Sequence, residues 1–99
     1  MKRLLITTTV CLLLPTFAYA NPATLNHPGR TLAANCFQCH GTDGYGMEHL
    51  AGERVSEIVD ELQEMQFEPA RKDIMAVHAQ AYTAEEIKLI ADYFSKQPK

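Results

Sequence analysis

Cys36-Phe37-Gln38-Cys39-His40 is the stretch of this 99-residue chain whose residue types and spacing carry a definite chemistry. Two thiols three positions apart lie on one side of a helical turn. Each can add across a vinyl group of a porphyrin to give a thioether, and the adjacent His40 then brings its imidazole beneath the chelated iron. Cys-x-x-Cys-His is the signature of c-type haem attachment. The motif occurs once, so one covalent haem c is expected, held by Cys36 and Cys39 and ligated by His40.

Other chemistries use parts of the same pattern. A thiol oxidoreductase sets Cys-x-x-Cys between a strand and a helix of a βαβ unit, and this chain is short and has no segment that reads as a strand. A zinc site would join Cys36 and Cys39 with His40, His49 or His78, but lacks a second Cys-x-x-Cys or a His-x-x-x-His pair. A plain disulfide would close only a tiny loop. The rival of a different class is therefore a haem-free thiol oxidoreductase or zinc-binding module.

With His40 on one face of the iron, the opposite face needs a ligand from Met47, Met65, Met75, His49 or His78. Met47 and His49 follow His40 by 7 and 9 residues, so their loop is expected to stay on the His40 side. Met65 continues an apolar helical stripe and suits the core. Met75 lies 35 residues beyond His40, far enough to reach round. His78 is one helical turn from Met75 and competes with it.

These residues need helices to place them. Asn26-His27-Pro28-Gly29 starts a first helix, continued by Arg30 to Cys39 with Leu32, Ala33 and Ala34. Gly41, Asp43-Gly44 and Tyr45-Gly46 mark a loop. Val55, Ile58, Val59, Leu62 and Met65 recur at helical spacing across a second helix from Arg54 to Gln66. A short helical segment spans about Arg71 to Gln80. Thr83 and Glu86 form a capping box for a last helix with Ile87, Ile90, Ala91 and Phe94 on one stripe. The expected fold is all-α, three to four helices around one haem.

Residues 1–20 read as a secretory signal peptide. Lys2 and Arg3 precede the apolar Leu4 to Leu14, and Ala18-Tyr19-Ala20 is a small-x-small cleavage site. The stretch is short for a membrane span and no second one follows, so a periplasmic location with no membrane span in the mature chain is expected. Cys11 leaves with the signal. Cleavage would leave 79 residues with 7 basic and 12 acidic side chains, moving the formal charge from −3 to −5. The absence of a Lys/Arg cluster argues against nucleic acid as partner. A domain this small commonly needs a staple, and a buried haem would serve.

The helix ending in Cys-x-x-Cys-His-Gly, the middle helix, the Met-bearing segment and the aromatic-bearing last helix resemble class I cytochrome c over residues 28–97, with 21–27 as a flexible leader. Cys39-His40-Gly41-Thr42-Asp43-Gly44, Leu50-Ala51-Gly52, Asp73-Ile74-Met75 and Tyr82-Thr83-x-Glu85-Glu86-Ile87 through Ala91-Asp92-Tyr93-Phe94 resemble the cytochrome subunit of flavocytochrome c sulfide dehydrogenases. The resemblance puts the axial methionine at Met75, with His78 the runner-up. A His/Met pair raises the reduction potential and leaves no open site, which implies electron transfer without catalysis by the chain alone. It further implies a flavoprotein partner that oxidises sulfide; a freestanding shuttle to another dehydrogenase or oxidase is the alternative.

Such cytochromes usually carry a proline in the loop after the motif, whose carbonyl accepts the proximal imidazole N–H. Thr42 to Leu50 has none, so a carbonyl between Gly46 and Leu50 is expected to take its place. Leu32, Phe37, Leu50, Ile58, Val59, Leu62, Ile74 and Phe94 are the expected apolar shell. Gly29 or Ala33 is expected to meet Tyr93 or Phe94 where the first and last helices cross. Tyr45, Tyr82, Arg30, Arg54 and Arg71 are candidate propionate partners.

Overall fold

The structure is a computed structural model that describes residues 22–99. The signal peptide expected over residues 1–20, with Cys11, lies outside the described residues, as does Asn21. Within them the chain is all-α, with no strand: α1 (Pro22–Leu25), α2 (Gly29–Ala33), a 3₁₀ turn (Ala34–Cys36), α3 (Phe37–His40), α4 (Val55–Gln66), α5 (Ile74–Gln80) and α6 (Ala84–Ser95). No helix among the described residues is long and apolar enough to cross a membrane.

The capping box is present in full. Thr83 Oγ1 accepts from the Glu86 N–H at 3.2 Å, and the Glu86 carboxylate accepts from the Thr83 N–H at 2.8 Å. It starts α6, the most deeply buried helix, where Ile87, Ile90, Ala91, Tyr93 and Phe94 are all buried. α2 crosses one side of α6, and α4 packs on both α6 and α5. A core of Ala33, Ile58, Ile90, Ala91, Tyr93 and Phe94 forms where they meet, with Leu32, Phe37, Leu50, Val59 and Leu62 packed around it.

The α2–α6 crossing is a backbone contact. A Cβ on Gly29 would stand 2.0 Å from the Leu89 carbonyl oxygen and 2.6 Å from its carbon, so only glycine permits this approach. The expected pairing with Tyr93 or Phe94 is thus divided. Gly29 meets the backbone of α6 one turn earlier, and Ala33 joins Tyr93 and Phe94 in the core. Beside the crossing, His27 Nδ1 accepts from the Gly29 N–H at 2.9 Å, and His27 Nε2 donates to Asp92 on α6 at 2.7 Å. Residues 22–27, read from sequence as part of a flexible leader, therefore carry α1 and are tied to the last helix. Asp92 also receives Lys96 Nζ at 2.6 Å, and these hydrogen bonds, Lys96 foremost and then His27, hold its carboxyl below the usual aspartate range.

The first helix differs from its expected continuous run over Arg30 to Cys39. It tightens to 3₁₀ between Ala34 and Cys36. Asn35, a weak helix former whose amide competes for local partners, donates from Nδ2 to the Tyr82 hydroxyl at 2.9 Å, and that hydroxyl donates to the Leu32 carbonyl at 3.0 Å. The tighter turn joins α2 to α3.

Gly29→Ala should destabilise the protein by about 1–3 kcal/mol, the cost of forcing extra atoms into a closed contact. Urea unfolding followed by far-ultraviolet circular dichroism measures it, and a change near zero would show that the crossing relaxes freely.

Candidate functional site

α3 ends at His40, and the chain folds straight back over it. The Gly41 N–H bonds the Phe37 carbonyl at 2.9 Å, the Gly46 N–H the His40 carbonyl at 2.7 Å, and the Met47 N–H the Cys39 carbonyl at 2.8 Å. Gly46 fits because a Cβ there would lie 2.3 Å from the Cys39 carbonyl oxygen and 2.7 Å from the His40 carbonyl carbon. Asp43 Oδ1 accepts from the Tyr45 N–H at 3.2 Å, the turn chemistry expected of Asp43-Gly44. The Tyr93 hydroxyl on α6 donates to the Thr42 carbonyl at 2.6 Å and pins the loop to the core.

This fold-back fixes the imidazole. His40 is 7% exposed, and its Nδ1 lies 2.5 Å from the Met47 carbonyl oxygen and 3.3 Å from that of Glu48. Carbonyls only accept, so Nδ1 carries the proton and Nε2 keeps a lone pair for a metal. The acceptor falls inside the window of Gly46 to Leu50 that the missing proline left open. Glu48 holds φ at 51°, a left-handed backbone uncommon for a side-chain-bearing residue. Strain of this kind concentrates where a loop is shaped for a task.

His40 opens on a cleft of about 500 Å³ between α3, α4, α5 and α6, within the range of about 300–1,000 Å³ common for cofactor pockets. Leu50, Ile58, Leu62, Ile90 and Phe94 give it apolar walls, and Cys36, His40, His49, Met65 and Met75 bring sulfur and nitrogen donors to the same space. That donor set fits a flat apolar iron macrocycle: a thiol at one edge, an oriented imidazole, and thioethers on α4 and α5. Glu48, Glu53, Glu57, Glu61 and Asp73 also line it, with no Lys or Arg among the lining residues. Arg54 pairs with Glu57, and Lys99 Nζ lies 3.8 Å from Glu53.

The structure brings together Cys36, His40 and Met75 of the expected site. Cys39 is an exposed free thiol and is not part of the cleft lining; Cys36 is also free, and burial raises its pKa. His78, the rival to Met75, does not line the cleft. Met65, expected in the core, does. Ile74 departs from the expected apolar shell: it is 66% exposed, because Asp73 caps α5 and turns the first residue of the helix to solvent. Tyr45 and Tyr82 spend their hydroxyls on the carbonyls of Pro98 and Leu32, so neither is free for a propionate here. Among the described residues, no three His, Cys, Asp or Glu side chains gather as a metal cage. Sequence reasoning did not find the roles of His27 and Gln66, since a single sequence marks neither contact.

No family model matches the chain, and no solved structure matches it. Two characterised proteins do. It is 31% identical over 104 residues to cytochrome c-553 of Nitratidesulfovibrio vulgaris (strain Miyazaki F), spanning 97% of this chain and 99% of that protein. It is 35% identical over 74 residues to the cytochrome subunit of sulfide dehydrogenase of Chlorobaculum tepidum, spanning 72% of this chain and 67% of that one.

Gly46→Ala should cost about 1–3 kcal/mol through overpacking and pull the loop away from His40. Proton NMR of the imidazole checks this: the Nδ1 proton should exchange with water much faster than in the parent protein, while an unchanged rate would mean that the carbonyl contact survives.

Proposed function

The chain belongs to the class I cytochromes c, c-type cytochromes of electron transfer, and from that membership we propose that it is a periplasmic single-haem carrier passing one electron at a time. When bound, the haem supplies an iron that alternates between its ferrous and ferric states. The residues' part is to hold and insulate it. Cys36 and Cys39 would hold the haem, each thiol adding across one vinyl group with an S–C bond to one carbon and the proton to its neighbour. His40 would offer its Nε2 lone pair and Met75 its thioether as the two protein ligands, a pair that suits electron transfer rather than oxygen chemistry. The observation that carries this reading is that Cys36, Met75 and a His40 already oriented by the Met47 carbonyl line one apolar cleft.

The electron donor we propose is a flavoprotein such as a sulfide dehydrogenase, following the motif resemblance and the likeness to the Chlorobaculum cytochrome subunit of sulfide dehydrogenase. The carboxylates around the cleft suit a partner with a basic docking face. A freestanding shuttle is the second reading, favoured by the near full-length match to cytochrome c-553. Co-purification from periplasm separates the two: a flavoprotein retained at stoichiometric ratio supports the first, and a monomeric carrier supports the second. Export rests on the pattern of residues 1–20.

In cells competent for cytochrome maturation, the protein should keep haem stain after denaturing electrophoresis, and Cys36→Ser with Cys39→Ser should lose it entirely. A colourless parent protein with both thiols open to alkylation would overturn the assignment. Met75→Ala should abolish the weak near-infrared band of Met-ligated ferric haem and lower the reduction potential. An unchanged spectrum would move the sixth ligand elsewhere, with His78→Ala the next variant to record.

A further inference from the structure

α5 has seven residues, short of the dozen or so that a helix needs to persist alone. Its neighbours must therefore hold it, yet its buried side chains are only Ala76 and Ala79, while Ile74 and Val77 face outward. So small an apolar footing leaves the seat of the helix to directional bonds. At its start, Asp73 Oδ1 accepts from the Met75 N–H at 2.8 Å. At its end, Gln66, the last residue of α4, donates from one nitrogen to two carbonyls: Ala79 at 2.9 Å and Tyr82 at 2.8 Å. Gln80 adds a bond from Nε2 to the Glu68 carbonyl at 2.7 Å. Tyr82 is itself anchored, its hydroxyl bonded to Leu32 and Asn35.

We infer that Gln66 is a positioning residue for the Met75 thioether, its carboxamide clamping the far end of α5 to the helix that walls the cleft. This rests on the proposal that Met75 is the sixth ligand. The geometry asks for two N–H donors on one flexible stem, which glutamine supplies and apolar residues do not. The bond to the Ala79 carbonyl lies at the α4–α5 junction, while Tyr82 keeps its own bond to Leu32 and its packing on the core without the clamp. Its loss should therefore free the methionine before it unfolds the protein.

Imidazole titration of the ferric holoprotein tests this, because an added ligand binds in proportion to the fraction of molecules whose methionine is off. Gln66→Met, which keeps bulk and removes both donors, should raise the apparent imidazole affinity about tenfold, the effect of losing two ordinary hydrogen bonds. The near-infrared band should also fade at a lower temperature than the far-ultraviolet circular dichroism. Gln66→Lys, which restores donors, should return both readouts toward the parent. Parental imidazole affinity in Gln66→Met, or band and helix signals lost together, would reduce Gln66 to a packing role and overturn the inference. If the parent protein itself lacks the band, the methionine ligation fails first and this assignment falls with it.

Discussion

The contact of Gly29 with the Leu89 carbonyl is the constraint on which the rest of this small protein depends. Two helices meet backbone to backbone only where a side chain is missing, and that closeness fixes their crossing. Once α2 is seated on α6, the tight turn that follows has one place to go. It delivers Cys36 and His40 to the edge of a cleft whose back wall is the Ile90 and Phe94 of that same α6. His27 and Asp92 lock the same crossing from the side. The Cys-x-x-Cys-His motif is thus positioned by a contact several residues upstream of it.

The loop after the motif does the finer work. Its two backbone bonds to the Cys39 and His40 carbonyls close it over α3, and the Tyr93 hydroxyl holds its other limb. The Met47 carbonyl then meets His40 Nδ1. An imidazole held this way is set in orientation and tautomer, and the acceptor makes the free nitrogen a better donor to a metal. With a left-handed Glu48 and a closely packed Gly46, the polypeptide thereby orients the imidazole through a loop that holds no proline.

Much of this was legible in the residues. The Cys36 to His40 motif, the Thr83–Glu86 box and the apolar spacing of α4 and α6 are local signals, and local physics determines them. The acceptor window of Gly46 to Leu50 followed from the family resemblance, which implies a loop carbonyl against this imidazole; choosing Met47 required the loop's own bonds. What sequence did not give depends on pairs distant in the chain. Asn35 breaks the first helix because Tyr82 waits for its amide. Ile74 looks like core by type, but a cap at Asp73 sets the helix rotation and leaves it outside. Gln66 reads as a surface residue at a helix end until Ala79 and Tyr82 are seen to need its donors.

The carboxylates around the cleft bear on the energetics of the iron. An oxidised centre carries one more unit of positive charge than a reduced one, so a ring of negative groups favours the ferric state. Arg54 and Lys99 offset Glu57 and Glu53, while Glu48, Glu61 and Asp73 form no ion pair among the described residues. With the proposed methionine ligand, sulfur would pull the midpoint upward and this acidic collar would pull it down. The equilibrium setting of the carrier is a compromise between an inner bond and an outer field, and the field is the half that dissolved salt can weaken.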